Sequence, residues 1–342
     1  MRLATWNIEW FDALFDDDGQ PLEDGAPSGR QGVTRRDQLG GIAIVLAAMD
    51  ADALLVVEAP NEGRRRSTVR ALEAFAAWAG LRTTRAVTGF PSPTEQELAL
   101  LYDPARLTAV HDPIGAPTGK FGAFGAPRFD GVLRQDGPAG QAETVVFARP
   151  PLELAVTLAG GRALRLIGVH AKSKAPHGAR DAEDALRITR ANRAKQLAQC
   201  GWLRARADEH LRAGESLIVL GDLNDGPGLD PPDPQHRRSG VEVVLGLDGP
   251  PALRLHDPNA ARALRRPLGA MPSTARFWIE DEGKFLPALL DYIMVSTDLC
   301  TLGPRWRIWH PFDDPVCWRT PELHAALLDA SDHFPVTLDI AL

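Results

Sequence analysis

The sequence predicts an α/β or α+β fold whose strands fall into two groups. Three observations carry this. Short apolar runs recur from one end of the 342-residue chain to the other. Several alternate apolar with polar or small residues, as antiparallel strands do. Helix-like stretches lie between some of them, and no repeat of fixed period competes with that reading.

The elements follow in order. LATW, near residue 5, is the first strand-like run. Asp and Gly clusters mark 11–35 as a long surface loop. Residues 36–50 bring Leu39, Ile42, Ile44, Val45 and Leu46 to helical spacing, and ALLVVE at 53–58 reads as a strand. The stretch 67–80 starts on Ser-Thr and stops on Gly, as a helix does. LALLY at 98–102, TVVFA at 144–148, LELAVTL at 152–158 and LRLIGVH at 164–170 are further strands, with a Gly- and Pro-rich loop at 111–142. Residues 179–213 form a long, Arg- and Ala-rich amphipathic helix. SLIVLG at 216–221 and LLDYIMV at 289–295 follow, with GPGLDPPDP inside a loop at 225–240. The chain closes with LLDASDHFPVTLDIAL, where Phe334, Val336, Leu338 and Ile340 alternate with polar residues. That period of two predicts a last strand with one face buried. No segment reads as a linker, so 1–342 is expected to be a single domain.

Composition narrows the function. The chain is 44% hydrophobic and 24% charged, in the globular range. A net charge of −7 excludes a surface that is basic all over, although local basic stretches remain. Cys200, Cys300 and Cys317 are far apart and form no CxxC, which excludes a disulfide framework or zinc knuckle and suits a reducing compartment. MRLATWNIEWF has no signal-peptide pattern, and no apolar run reaches the length of a membrane span. A soluble, cytoplasmic protein is the expectation.

Polar residues of catalytic type stand at the strand ends. The first run ends in Asn7 and Glu9, the second in Glu58. LRLIGVH ends in His170, followed by Lys172 and Lys174. SLIVLG runs into Asp222, Asn224 and Asp225; LLDYIMV carries Asp291; Asp332 and His333 precede the last strand. If neighbouring ends converge, one cleft receives several carboxylates, two carboxamides and two imidazoles. Such hard oxygen donors, without thiolates, suit Mg²⁺ or Mn²⁺. A neutral imidazole accepts a proton from water near neutral pH. Together these groups describe hydrolysis of a phosphate ester.

ATWNIEWF, LLVVEAPN, LALLYDP, LIGVHAKSK, VLGDLND, LDYIMVS and SDHFPV occur in the order seen in the endonuclease/exonuclease/phosphatase superfamily of DNase-I-like enzymes, which the chain resembles over nearly its whole length. The resemblance implies an α+β, two-sheet β-sandwich flanked by helices in four layers, with the site at one edge of the sandwich. It also implies roles. Glu58, Asn7 and Asp332 hold the metal; Asp222 orients the attacking water; Asn224 and His170 bind phosphoryl oxygens. His333 is the general base, with protonation of an oxygen as its alternative role, and Asp291 orients its ring. Arg149, Lys172, Lys174 and the run Arg64-Arg65-Arg66 are candidates for phosphate contacts, with solvated surface as the competing reading. Glu9 is a supporting partner or a salt-bridge acid. Trp6 and Trp10 are core and rim packing.

Two departures from the family pattern stand out. Val57 replaces the Gln that often precedes the metal glutamate. The carboxylate partner of His170 is open among Glu95, Gln96 and Glu97. The expected function is a divalent-metal-dependent phosphodiesterase acting on DNA or RNA. A small-molecule or lipid-headgroup phosphoesterase is the alternative, and a non-catalytic, partner-binding member of the fold is the alternative of another class.

Overall fold

The structure is a computed structural model that describes residues 1–115, 132–136, 142–228, 238–265, 271–279 and 283–342. Most of the loops expected at 111–142 and 225–240 therefore lies outside the described residues. The strands are β1 (Arg2–Asn7), β2 (Ala53–Ala59), β3 (Arg85–Thr88), β4 (Glu97–Tyr102), β5 (Leu107–His111), β6 (Val132–Asp136), β7 (Ala142–Val146), β8 (Leu152–Leu158), β9 (Ala163–His170), β10 (Leu217–Asp222), β11 (Leu255–His256), β12 (Ala275–Ile279), β13 (Lys284–Ala288), β14 (Asp291–Ser296), β15 (Arg305–Ile308) and β16 (Val336–Asp339). The helices are α1 (Arg35–Met49), α2 (Thr68–Trp78), α3 (Ala182–Arg212), α4 (Gly240–Leu245), α5 (Pro258–Leu264), α6 (Thr297–Cys300), α7 (Pro315–Arg319) and α8 (Pro321–Ala330).

Two six-stranded sheets form, in the orders β15-β16-β1-β2-β4-β3 and β11-β14-β10-β9-β8-β5. Leu3, Leu55, Leu100 and Leu338 of the first sheet meet Leu154, Leu166, Ile218 and Ile293 of the second in a buried layer. The outer face of the first sheet buries Trp6, Leu54 and Val56 under α1, α2 and α8; that of the second buries Ile167, Val219 and Met294 under α3, α4 and α5. This is the four-layer sandwich. Each fully buried Leu or Ile in these layers contributes about 1.5–3 kcal/mol.

The helices begin where their caps dictate. Thr34, Ser67 and Asp181 each accept a hydrogen bond from the third residue of their helix, satisfying an orphan N–H. Gly41 lets α1 and α8 approach closely, because a Cβ there would stand 2.9 Å from the Ala326 carbonyl oxygen.

Two expectations change here. The last strand does not leave a face to solvent: Thr337 is buried and accepts a hydrogen bond from Trp309 Nε1 at 3.0 Å. β16 lies between β15 and β1 and is covered on both faces, so its alternation reflects chemistry rather than exposure. Asp291 also sits differently. It is the first residue of β14, not an interior one, and lies directly opposite Asp222 at the end of β10.

Candidate active site

Strand directions bring the site together. β1 and β2 run parallel, as do β9 and β10, so Asn7, Glu58, His170 and Asp222 lie at the carboxyl ends of neighbouring strands. β14 and β16 are antiparallel to β10 and β1, which brings their beginnings, Asp291 and the turn at His333, to the same edge.

The SDH turn is fixed from three sides. Ser331 Oγ donates to the Asn7 carbonyl at 2.8 Å and accepts from the backbone N–H groups of Glu9 and His333, each at 3.2 Å. Trp6 Nε1 donates to the His333 carbonyl at 2.9 Å, so this fully buried indole is an anchor as well as core packing. Thr274 accepts from Asp291 N at 3.0 Å through its hydroxyl and from Phe334 N at 2.6 Å through its carbonyl. One residue thereby ties the turn to β14.

His333 Nδ1 stands 2.8 Å from Asp291 Oδ2, and both side chains are buried. Burial opposes a charged ring, but the neighbouring carboxylates of Asp291, Asp222 and Asp332 outweigh it and raise the His333 pKa well above 6.5. Asp222 accepts from Asn224 N at 2.7 Å, Asn7 Nδ2 at 3.1 Å and Asn224 Nδ2 at 3.2 Å. Burial and the facing Asp291 still push its carboxyl up to about 7.

Two residues reach the cleft through unusual backbone. Glu58 occupies a bulge between Val57 and Ala59 with φ 61°, and Asn224 has φ 49°. Non-glycine residues adopt such angles at a cost, and they cluster at functional sites. The bulge gives Glu58 its own direction, apart from the period-two alternation of β2. Burial raises the pKa of Glu58, while Arg149 and His333 oppose that shift. Gly221, with φ 128°, must be glycine: a Cβ would lie 2.1 Å from the Val169 carbonyl oxygen.

Arg149 is drawn into the cleft. Its Nη1 donates to Gln96 Oε1 at 2.9 Å and lies 2.7 Å from His170 Nε2. Gln96 reaches His170 only through Arg149, while Glu97 accepts from Ser92 N at 2.9 Å. The carboxylates facing His170 are Asp222 at 3.7 Å and Glu58 at 3.9 Å. Full burial, with Arg149 beside it, lowers the His170 pKa well below 6.5 and keeps the ring neutral.

Other candidates stand elsewhere. Lys174 does not face the cleft freely; it pairs with fully buried Asp225 at 2.8 Å, as does Arg193 on the other carboxylate oxygen. Lys172 stands near enough to Arg149 for their charges to repel. Arg66 corrects the expected basic run. Its guanidinium is held by Asp12 at 2.5 Å and Asp17 at 3.0 Å and bonds the Phe15 carbonyl, so it braces the 12–17 loop. Arg64 and Arg65 are exposed. Glu9 pairs with Arg30 and is pushed up to about 7 by burial and by Asp332. Trp10 is half exposed on the rim.

Among the buried side-chain oxygens without a hydrogen-bond partner, two belong to the cleft, Asn7 Oδ1 and Asp291 Oδ1. Such atoms are costly unless something else binds them. Asp222, Asp291 and His333 also bring possible ligand atoms within 4.8 Å of one another, the one such cluster among the described residues. Its donors are carboxylate and imidazole, with no cysteine among them.

An imidazole braced by a carboxylate among buried acids and amides, at the strand-end edge of a two-sheet sandwich, defines a hydrolytic phosphoesterase on a DNase-I-like scaffold. The chain belongs to the Endonuclease/Exonuclease/phosphatase family, whose model matches residues 4–333. Similar solved structures share the fold at low identity. TDP2 from Caenorhabditis elegans is 15% identical, with 99% of this chain and 73% of that chain covered, at a TM-score of 0.52. The human Nocturnin catalytic domain with bound sulfate is 14% identical, covering 100% and 94%, at 0.50. TDP2 from D. rerio in complex with a single-strand DNA product is 12% identical, covering 100% and 99%, at 0.50. No curated protein sequence matches the chain.

Proposed function

We propose that this protein is a divalent-metal-dependent phosphodiesterase that hydrolyses DNA or RNA. The observation that carries the reading is the buried His333–Asp291 pair, 2.8 Å apart, facing an acid and amide cluster whose oxygens are not all satisfied. The donor set fits a hard cation. Glu58 and Asp332 supply carboxylate, and Asn7 offers the carboxamide oxygen that has no protein partner. Mg²⁺ or Mn²⁺ bound there would neutralise charge on the phosphate and on the leaving oxygen.

The chain's own groups do the rest. The carboxylates around His333 favour its protonated form. A cation held by Asp332, one of these carboxylates, would weaken that preference and favour the ring form that accepts a proton from water. Asp291 fixes the ring so that Nε2 presents to the cleft. Asp222, opposite Asp291, orients the water. Asn224 Nδ2 now donates to the Ala171 carbonyl at 3.1 Å; a phosphoryl oxygen that replaces this acceptor gains a donor aimed at developing charge. Arg149 and neutral His170 supply further donors on the same side.

The nucleic-acid assignment is supported by family membership and by the likeness to a fold seen bound to single-strand DNA product. The cysteines are free, and no helix among the described residues is long and apolar enough to cross a membrane; a cytoplasmic setting suits both. The test is a substrate panel with Mg²⁺ or Mn²⁺: single-stranded oligonucleotide, supercoiled plasmid and small phosphate esters, with His333→Ala as control. Cleavage of nucleic acid that the variant loses supports the proposal. Hydrolysis of a small ester with intact nucleic acid would transfer the assignment to the small-molecule or lipid-headgroup alternative.

A further inference from the structure

Beside the dyad lies a second cavity of about 640 Å³, between the β12–β13 hairpin and the segment around Phe312. Its size is that of a small-ligand pocket. The hairpin that walls it is fastened to the dyad itself. Ala275 bridges His333, and Arg276 N donates to the Asp332 carbonyl at 2.8 Å. Phe277 sets its ring edge-on to the His333 ring, with centroids 5.5 Å apart. Side chains alternate along a strand, so Phe277 faces the dyad while Arg276 faces the pocket.

The environment of Arg276 is unusual. Its guanidinium carbon lies 3.5 Å from the Phe285 ring centroid and 4.7 Å from that of Phe312. Both rings cover the flat guanidinium, and no carboxylate pairs with it among the described residues. Asp313, also at the pocket wall, is turned to His310 at 3.3 Å. By contrast, Arg2 and Arg82 at the base of the first sheet and Arg204 and Arg206 on α3 each have an acid partner. An arginine stacked on its faces keeps its N–H edge for a bidentate anion. The surroundings are apolar. Seven of the twelve large hydrophobic side chains left exposed among the described residues fall within 271–286 and 312–318. A concentration of that kind marks an interaction site rather than ordinary surface.

We propose that this pocket binds an unpaired nucleotide flanking the scissile phosphate. The Arg276 edge takes the phosphate, and Phe312, Met271 and Pro287 receive the sugar and base. An apolar, aromatic wall suits an unstacked base, which a paired duplex does not offer. This rests on the nucleic-acid reading above and deepens it to single-stranded or frayed ends.

The experiment is fluorescence anisotropy with a labelled single-stranded oligonucleotide and a blunt duplex, in the His333→Ala background with Mg²⁺. Arg276→Met keeps the stacking and removes the charge. It should weaken single-strand binding about tenfold or more, and flatten the log–log salt slope by about 0.7. Phe312→Ala should weaken it about fivefold or more. Arg276→Lys should recover part of the loss. The duplex should be affected less. Arg305→Met, exposed at the opposite end of the sheet, serves as control, and circular dichroism melts confirm folding of each variant. Unchanged affinity and slope in folded Arg276→Met would overturn the pocket assignment alone. No oligonucleotide binding in the parent, with small-ester hydrolysis intact in wild type, would overturn the nucleic-acid reading and this inference with it.

Discussion

The two ends of the same central strands carry similar acids and opposite electrostatics. At the end away from the cleft, Asp50, Asp52, Asp103 and Asp339 each have a cation. Arg82 reaches Asp50 at 2.5 Å and both Asp52 and Asp103 at 2.8 Å; Arg106 reaches Asp52 at 3.2 Å; Arg2 grips Asp339 at 2.7 Å. Burial resists ionisation of Asp52, yet the Arg2 N–H and Arg82 together hold its pKa below the ordinary value. At the cleft end, Asp222 and Asp291 are buried with no arginine pairing them among the described residues, Glu58 is half-buried near Arg149, and the Asp222 carboxyl is pushed up to about 7. Closed charge holds the strands; the cleft acids, at the open end, are those the proposed cation and substrate would meet. The same side-chain chemistry serves structure or function according to whether an arginine completes it.

Substitutions sharpen this contrast, and the largest effects belong to the open end. His333→Ala should lower kcat by about 10²–10⁴-fold, the contribution of a positioned general base. Asn224→Ala should cost about 10²–10³-fold through loss of an oxyanion-type donor. Steady-state kinetics with melts as a fold check reads both; near-native rates would place the chemistry in another cleft. Glu58→Gln should raise the divalent concentration needed for half-maximal thermal stabilisation by more than the roughly 10–100-fold typical of losing an outer-shell partner. An unchanged metal titration would remove Glu58 from the ligand set.

The closed end should respond in stability, not rate. Arg82→Met leaves Asp52 and Asp103 short of their shared cation and should cost about 1–3 kcal/mol in denaturant melts, with kcat intact. Loss of activity without loss of stability would break the division between the ends. Asp339→Asn should cost about 1 kcal/mol or less, because the pair is one-third exposed. Its pH dependence has a definite sign. The hydrogen bond from Arg2 lowers the folded pKa of Asp339, so its contribution is fully present above the unfolded value of about 3.9 and is lost as pH falls through the folded value. The stability gap between wild type and variant should therefore be flat from neutral pH to about 5 and close at lower pH.

Much of the cleft was legible because its residues sit at the ends of apolar runs, and strand ends that neighbour in the fold meet in space. Asn7, Glu58, His170, Asp222, Asp291 and His333 needed only that geometry. What stayed hidden depends on contacts across the chain. Arg149 follows a strand-like run whose side-chain surroundings sequence does not specify, and its link from Gln96 to His170 joins residues 53 and 21 positions away. Arg66 resembled its exposed neighbours until Asp12 and Asp17 met it. The bulge at Glu58 leaves no mark in the apolar run that identified β2. Thr274 carried no signal, since a threonine that ties two strands reads like any other. The β12–β13 hairpin was missed because Trp278, Phe285 and Leu286 are exposed, so its pattern has no buried face to mark it.

The central claim is the proposal that Glu58, Asp332 and Asn7 hold a hard cation on which turnover depends. The direct measurement is cleavage of a single-stranded oligonucleotide by protein stripped with EDTA and then titrated with Mg²⁺ or Mn²⁺, with the thermal midpoint followed in parallel. The account predicts no turnover in the stripped protein, and restored cleavage together with a rising midpoint as metal is added. Full turnover by the stripped protein, with a midpoint indifferent to metal, would contradict it.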